Sequence, residues 1–217
     1  MKYEKSIWDS FFDQKLKINA HCIITAAGES SRMGCWKGSL TVPAGSEGQG
    51  ETTLIQKAVS TALESCQRVV VVGGRQMEHI RMLIPQDKNL QIIENPDYKE
   101  GMLSSIKRAL PFVEGDFFIL PMDMPLITPV HLYHLHRSFF LNKSHQIVRP
   151  VYRGQPGHPV LLPSVWNFRI RSMPGRSLKQ NLTDDDQLLI PWKDESVVLD
   201  LDTQAAYREF LDHYRFC

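Results

Sequence analysis

The sequence predicts an α/β fold with a doubly wound, mostly parallel sheet of Rossmann-like type. Short apolar segments alternate along the chain with amphipathic segments of helical period. One apolar segment, Arg68–Val72, ends in four consecutive valines before a Gly-Gly pair, which is typical of a strand buried on both faces. Polar residues follow several of the strands, and sheets of this type bind ligands at the carboxyl ends of their strands.

The predicted elements follow from the period of the apolar residues and from the Gly and Pro residues that interrupt them. The predicted strands are 22–25, 68–72, 90–94, 116–120, two strands joined by a turn at 153–157, and 197–203. The predicted helices are 52–65, 76–83, one from residue 101 or 102, one from about residue 128, and one after residue 202. The two strands around 153–157 are predicted to form a small hairpin attached to the core. The Gly- and Ser-rich stretch 38–52 is predicted to be a surface loop.

Length and composition indicate one globular domain, residues 21–217, preceded by an N-terminal extension, residues 1–20. The chain has 217 residues, of which 42% are hydrophobic, enough for one well-buried core. Four apolar residues of the extension recur at helical spacing: Trp8, Phe11, Phe12 and Leu16. This spacing predicts an amphipathic helix.

Charge and hydropathy exclude several classes of protein. A net charge of +1 provides no general field for nucleic acid, so any binding of polyanions is local. No apolar run is long enough to span a bilayer, and the N-terminus lacks the apolar core of a signal peptide. We therefore expect a cytoplasmic protein without nucleic-acid or membrane partners. The four cysteines have no CxxC spacing, which argues against a zinc site.

The stretch from Cys22 to Lys37, CIITAAGESSRMGCWK, has the features of an anion-binding loop. A strand leads through small residues to a polar, cationic segment, an arrangement that leaves backbone N–H groups available for a phosphate chain. The small residues Ala26, Ala27 and Gly28 allow a ligand to approach the backbone, and Arg32 and Lys37 supply charge for phosphate oxygens. The spacing fits neither the P-loop nor the GxGxxG fingerprint.

Asp123 is the second candidate. It lies in the sequence PMDMP directly after the predicted strand 116–120, where a carboxylate faces the ligand edge of the sheet. A hard cation prefers such an oxygen ligand. The alternative is an Asp that forms a turn or caps the helix that follows.

The first stretch resembles the signature (L)AAGxSxRMGxxK of the nucleotidyltransferases related to molybdenum cofactor cytidylyltransferase, a family that also includes the guanylyltransferases. The matching residues are Ala26, Ala27, Gly28, Ser30, Arg32, Met33, Gly34 and Lys37, whereas Thr25 replaces the usual Leu. The resemblance implies that this loop, with Ser31, holds the triphosphate of a nucleotide. It also implies catalytic roles for Arg32, Lys37 and Asp123, with Asp123 binding the Mg²⁺ that bridges the phosphates.

Three further segments extend the resemblance as far as Tyr207. Asn95, Gly101, Ser104 and Ser105 match residues that contact the nucleotide in the family, although helix capping alone also explains them. The closing motif Asp-x-Asp-Thr-Pro places a second Mg²⁺ ligand at Asp200 or Asp202, with Gln204 replacing the Pro. These two side chains share one face of the predicted strand, and Asp200 is preferred because Asp202 also fits a helix N-cap.

The acceptor side is assigned to the predicted hairpin. Arg149, Arg153 and His158 supply positive charge or hydrogen bonds there. His158 lies in a Gly-His-Pro sequence that resembles the family motif for the second substrate, and it contacts a phosphate or pterin or else only shapes the turn. At Pro174–Leu178 the sequence has a Gly but lacks the acidic residue of the family, so no acceptor contact is assigned there.

The implied reaction transfers a nucleoside monophosphate from a nucleoside triphosphate to the terminal phosphate of molybdopterin and releases pyrophosphate. CTP is favoured because the pair Ala26-Ala27 resembles the cytidylyl-transferring branch. Two alternatives stay open. The first is transfer to a sugar phosphate or another alcohol phosphate. The second is a non-catalytic protein that binds molybdenum cofactor and delivers it to a partner molybdoenzyme.

Overall fold

A computed structural model describes residues 17–28, 33–44, 50–142 and 145–214. The helix predicted from Trp8 to Leu16 lies outside the described residues. So do the loop residues Ser30, Ser31 and Arg32.

The central sheet confirms the predicted fold class. Its strands are β1 Ile18–Ala26, β4 Cys66–Gly73, β5 Leu90–Glu94, β6 Phe117–Pro121, β7 Ile147–Tyr152, β8 Gln155–Pro156, β9 Val160–Leu162 and β10 Gln187–Pro191. They lie in the order β10-β7-β9-β6-β1-β4-β5, with β8 paired to β7. Pairing is parallel between β1 and its neighbours β4 and β6, between β4 and β5, and between β7 and β10. Strand β9 is antiparallel to both of its neighbours, β6 and β7.

Helices cover both faces of this sheet. They are α1 Leu54–Ser65, α2 Met77–Leu83, α3 Met102–Ala109, α4 Pro129–Asn142, α5 Val165–Ser172 and α6 Gln204–Tyr214. Helices α1, α2 and α4 pack on one face, and α3 and α5 pack on the other. None of the helices in the described part of the chain is long and apolar enough to cross a membrane.

The valine run of β4 has the two-sided burial that the sequence predicts. Val69 and Val71 belong to the core on the face of α1, and Val70 and Val72 belong to the core on the face of α3. All four side chains are fully buried. Because successive strand residues point to opposite faces, only a strand covered on both sides needs four apolar residues in a row.

The stretch 38–52 was predicted to be a surface loop, but it also contains a short strand and contributes to a second one. Strand β2, Thr41–Pro43, pairs antiparallel with β3, Glu51–Thr53. The helix predicted from residue 52 begins at Leu54, because Thr53 is its N-cap and forms a capping box with Gln56. β-Branched Thr and Val residues on both sides of the Gly-rich segment form this small ribbon.

The two strands around 153–157 were predicted to form a small hairpin attached to the core, and this position is wrong. β7 forms a hairpin with β8, but β7 and β9 are inner strands of the central sheet, between β10 and β6. Strand β10 pairs with β7 and was not predicted, and neither was α5. Long-range pairing brings these short segments into the sheet, and their local sequences contain little of that information.

The predicted closing strand at 197–203 is absent. The chain forms a short 3₁₀ helix at Glu195–Val197 and then crosses the carboxyl end of the sheet without strand pairing. The amide of Leu201 donates to the carbonyl of Asp123, and the amide of His158 donates to the carbonyl of Val197. These isolated bonds satisfy the backbone where a ladder was expected.

His131 of α4 packs against the segment that follows β10. Its Nε2 atom lies 2.8 Å from Ser196 Oγ, and its ring stacks on Trp192 with a centroid distance of 4.8 Å. Ser196 in turn donates to Asp194. This buried chain of contacts joins α4 to the segment that leads towards the carboxyl edge of the sheet.

Burial lowers the pKa of His131 to about 4. The unfolded chain therefore binds a proton at this residue near pH 6.5, whereas the native protein does not until about pH 4. We expect the free energy of unfolding to fall between these pH values, by about 3 kcal/mol from His131 alone. The measurement is urea unfolding at several pH values between 7 and 4, for the wild type and His131→Asn. A variant with the same loss as the wild type would contradict this assignment.

Candidate active site

A cavity of about 560 Å³ opens at the carboxyl ends of β1 and β6. This is the edge at which parallel sheets of this type bind ligands. The described residues that line it come from the ends of β1 and β6, from the loops that follow β1, β5, β6, α5 and β10, and from the start of α3. They are Thr25, Ala27, Gly28, Lys37, Tyr98, Lys99, Gly101, Met102, Ser105, Pro121, Met122, Asp123, Arg176 and Asp202.

The loop after β1 forms one wall of this cavity. Ala26 is the last residue of β1 and is buried, whereas Ala27 and Gly28 line the cavity. Space around Gly28 is open, since a Cβ atom there would meet nothing within 4 Å. Gly34 has φ +70°, a conformation that favours glycine. This wall therefore presents small residues to a ligand, as the sequence predicts.

Lys37 lies between two carboxylates. It begins a short 3₁₀ helix, Lys37–Ser39, and is buried. Its Nζ atom is 2.8 Å from Asp123 Oδ2 and also contacts Asp202 Oδ1. The three charged groups come from chain segments up to 165 residues apart, so only the tertiary fold assembles them.

The environment of Lys37 keeps its ammonium group charged. Burial disfavours the charge, but the carboxylates of Asp123 and Asp202 outweigh this effect and raise the pKa of Lys37 above its usual value. The lysine therefore carries a full positive charge at neutral pH.

Asp123 and Asp202 form a pair at the mouth of the cavity. Asp123 follows β6, as predicted, and its carbonyl accepts the amide of Leu201, which brings the adjacent Asp202 to the cavity. Asp200 is exposed and does not line the cavity. The sequence-based preference for Asp200 assumed a strand, and the alternation of a strand does not apply to this irregular segment. Among the described residues, no group of three or more His, Cys, Asp or Glu side chains is arranged to hold a metal ion.

Asn95 organises the start of α3. Its buried side-chain amide donates to Ser104 Oγ at 2.8 Å and to Ser105 Oγ at 3.0 Å, and its Oδ1 atom accepts the amide of Asp97. Ser104 also donates to the carbonyls of Asp97 and Gly101. Of the polar side chains in this network, Ser105 lines the cavity. Asn95 and Ser104 do not line it, but their hydrogen bonds hold the start of α3 in place.

Gly101 is required by a close approach of two loops. Its φ of +104° lies in the region that favours glycine, and a Cβ atom there would lie 2.6 Å from the carbonyl oxygen of Arg176. That carbonyl also accepts the amide of Leu103. The turn around Arg176 is thereby held against the first turn of α3.

Arg149 and His158 lie next to each other behind the cavity. Arg149 is buried and donates to Gln187 Oε1 at 3.2 Å, while its Nε atom has no partner in the described part of the chain. His158 Nδ1 is also buried without a partner among the described residues. Burial and the charge of Arg149 lower the pKa of His158 to about 4, while Asp123 acts in the opposite direction. The ring is therefore neutral at neutral pH.

Arg153 does not join this pair. It occupies the turn between β7 and β8 with φ +48°, is exposed, and lies over the ring of Tyr152 at 5.1 Å. It does not line the cavity.

Four lining residues with hydrogen-bonding or charged groups were not predicted from the sequence: Thr25, Tyr98, Lys99 and Arg176. Tyr98 and Lys99 lie between the predicted residues Asn95 and Gly101, so their position after β5 was a usable signal. Arg176 donates to the carbonyl of Lys99 at 2.8 Å, although these residues are 77 positions apart. Its sequence segment departs from the family pattern and gave no such signal.

A doubly wound sheet with a small-residue loop, a buried lysine and two carboxylates at its carboxyl edge suits a protein that binds the phosphates of a nucleotide. Residues 22–188 match the family described as the MobA-like NTP transferase domain, and the chain belongs to this family. The resemblance noted in the sequence is thereby confirmed.

The known relatives agree with this assignment. The chain is 32% identical over 195 residues to the molybdenum cofactor cytidylyltransferase of Escherichia coli (strain K12), covering 89% of this chain and 96% of that protein. Solved structures of other proteins share the fold. A homologue of the Mycobacterium tuberculosis protein Rv0371c, from Mycobacterium sp. strain JC1, has a TM-score of 0.74 at 22% identity, covering 92% and 98% of the two chains. A nucleotidyl transferase from Methanothermobacter has a TM-score of 0.73 at 16% identity, covering 90% and 97%.

Proposed function

We propose that this protein transfers CMP from CTP to the terminal phosphate of molybdopterin or its molybdenum form and releases pyrophosphate. The observation that carries the proposal is the contact of Lys37 with Asp123 and Asp202 beside the loop of Ala27 and Gly28. The choice of CTP and of a pterin acceptor is supported by the 32% identity with the cytidylyltransferase of Escherichia coli.

The reaction needs alignment and charge neutralisation more than it needs a general base. A phosphate oxygen of the acceptor attacks the α-phosphorus of CTP and forms a new P–O bond. The bond between the α-phosphorus and the oxygen bridging to the β-phosphorus breaks, and its electrons leave with pyrophosphate. Because the attacking phosphate is already ionised at neutral pH, no side chain has to remove a proton.

The two carboxylates fit a divalent cation. Lys37 Nζ now contacts both Asp123 and Asp202, so a positive charge already occupies the position between them. Two carboxylates without a third protein ligand suit Mg²⁺, which usually completes its coordination with water and substrate phosphates. Mg²⁺ bound there would neutralise charge on the phosphates and orient them.

Lys37 contributes a fixed positive charge to the same site. With a metal ion held by the two carboxylates, the ammonium group of Lys37 would be available to the phosphate oxygens of the nucleotide. Arg32, which lies outside the described residues, supplies a second cation in this proposal. A positive charge that is already in place before the reaction stabilises the leaving pyrophosphate without reorganisation.

The base and the acceptor are assigned to opposite sides of the Asp123–Asp202 pair. Ser105 and Gly101 line the part of the cavity at the start of α3, where we place the nucleoside. Arg149 and His158 lie on the side of β7 and have buried nitrogen atoms without partners among the described residues. We propose that they support the acceptor side, Arg149 through its charge and His158 as a neutral hydrogen-bonding group.

Nucleotide binding gives the most direct test. The purified protein is titrated with CTP, GTP, ATP and UTP, each with and without Mg²⁺, and its thermal midpoint is recorded. CTP at a hundredfold excess over its Kd adds about 2.7 kcal/mol to the free energy of unfolding, which corresponds to an increase in Tm of about 5–10 °C. We expect this increase with CTP and Mg²⁺ together. A preference for another nucleotide would retain the enzyme class and change the reaction.

Pyrophosphate release distinguishes this enzyme from a delivery protein. With CTP, Mg²⁺ and molybdopterin present, the enzyme releases one pyrophosphate for each acceptor converted. A protein that only delivers the cofactor binds the acceptor and releases none. Release with a sugar phosphate in place of molybdopterin would instead identify the alternative acceptor class.

A further inference from the structure

Three segments meet beside Lys37, and specific hydrogen bonds join them. The segment Met33–Lys37 follows the loop after β1, the segment around Asp123 follows β6, and the segment 199–204 leads into α6. Lys37 contacts a carboxylate of each of the other two segments. The amide of Leu201 joins the second and third segments through the carbonyl of Asp123.

A fourth bond joins the first and third segments without using a charged group. The side-chain amide of Gln204 donates through Nε2 to the carbonyl of Met33 at 2.6 Å. Met33 is buried, four residues before Lys37, and Gln204 is the first residue of α6, two residues after Asp202. The bond therefore joins residues that are close in sequence to Lys37 and to Asp202.

This bond is independent of the changes that the proposed reaction requires. In the proposed reaction Asp202 would bind the metal ion and Lys37 would contact the phosphates, so their mutual contact would be lost. The bond from Gln204 to Met33 uses neither of these side chains. It can keep the two segments in register while the ion pair is open.

Helix α6 also contacts this part of the chain through Tyr207. Tyr207 Oη donates to the carbonyl of Thr41 at 2.7 Å, on strand β2. Thr41 lies beyond the 3₁₀ helix that begins at Lys37, so this bond fixes the helix without acting on Met33 directly. Tyr207 thus provides a matched comparison, since it is on the same helix and also donates to a backbone carbonyl.

From this arrangement we infer that Gln204 is a positioning residue of the nucleotide site. Its side chain holds the segment Met33–Lys37 against the segment that carries Asp202, so that Lys37 is placed for the phosphates of the nucleotide. The inference rests on the proposed function. The family motif Asp-x-Asp-Thr-Pro has Pro where this chain has Gln204. The contact with Met33 is therefore a property of this chain and not of the family motif.

The test compares Gln204→Met with Tyr207→Phe. The first variant keeps a side chain of similar length and removes the donor, and the second removes the hydroxyl on the same helix. Pyrophosphate release is measured at varied CTP and varied acceptor concentrations, together with Tm. For Gln204→Met we expect KM for CTP to rise about three- to tenfold, as for loss of one neutral hydrogen bond, with KM for the acceptor unchanged. For Tyr207→Phe we expect a lower Tm and the wild-type KM for CTP.

Other results would contradict either the role of Gln204 or the proposed function. An equal rise of KM in both variants, or a rise in neither, would show that Gln204 has only the structural role of a helix residue. A rise in KM for CTP and for the acceptor together would assign the effect to general disorder of the site. If the wild-type protein neither binds nor turns over any nucleotide, the proposed function fails before the variants are compared.

Discussion

Replacement of Lys37 by alanine is expected to reduce kcat for pyrophosphate release by about a hundred- to a thousandfold. The variant loses a preorganised positive charge at the place where negative charge develops on the leaving group, and removal of one such contact costs about 3–4 kcal/mol in the transition state. The loss should appear in kcat at saturating CTP and Mg²⁺, because the charge is worth most when the α–β bond breaks.

The structure also defines the control for this variant. Lys37→Ala removes the cation that contacts both Asp123 and Asp202, so its folding must be verified by circular dichroism and Tm in the presence of Mg²⁺. Lys57→Ala is the matched comparison. Lys57 is partly buried and donates to the carbonyl of Pro43, away from the cavity. A folded Lys37→Ala protein with the activity of Lys57→Ala would refute the proposed role.

Replacement of Asp123 by asparagine should cost about a hundredfold or more in kcat and should raise the Mg²⁺ concentration needed for half-maximal activity. Asparagine keeps the size of the side chain and an oxygen acceptor for Lys37, but it removes the charge that a divalent cation requires. The fold should persist, because Lys37 retains its contact with Asp202. The measurement is pyrophosphate release as a function of Mg²⁺ concentration.

The opposite end of β6 offers a control for this charge change. Asp116 precedes the strand and accepts the amide of Ser164, whereas Asp123 follows the strand and faces the cavity. Asp116→Asn makes the same chemical substitution and should leave both the rate and the Mg²⁺ requirement unchanged. If Asp123→Asn has the same Mg²⁺ dependence as Asp116→Asn, the proposal that Asp123 binds the metal ion is wrong.

The parts of the fold that the sequence predicts well are those with strong local patterns. Strand β5, Leu90–Glu94, and helix α3, Met102–Ala109, have the predicted positions, and β4 has the predicted two-sided burial. In each case an apolar run or a helical period is bounded by Gly, Pro or polar residues, so the local preference and the tertiary environment agree.

The parts that were predicted wrongly depend on contacts between distant segments. The stretch Val197–Leu201 alternates like a strand, but its neighbours in space are the carbonyl of Asp123 and the amide of His158 and not another strand. Strand β10, Gln187–Pro191, is short and only partly buried, and it exists because β7 lies beside it. Strand preference depends on the neighbouring strands more than on the segment itself.

For the candidate site, the sequence predicted residues that the structure brings to one cavity. Among them are Ala27, Gly28, Lys37, Ser105 and Asp123, all of which line this cavity. The prediction of their positions was possible because a loop suited to phosphate needs small residues and a cation at fixed spacing, and because a residue that follows a parallel strand lies at the ligand edge.

Which groups lie together depends on the tertiary structure. It placed Asp202 rather than Asp200 beside Asp123, brought Arg176 into the cavity wall, and joined Gln204 to Met33. Spacing along the chain fixes side-chain direction only within a regular helix or strand. The segment 198–203 is irregular, so the direction of its carboxylates is set by hydrogen bonds to segments as far away as Asp123 and Met33.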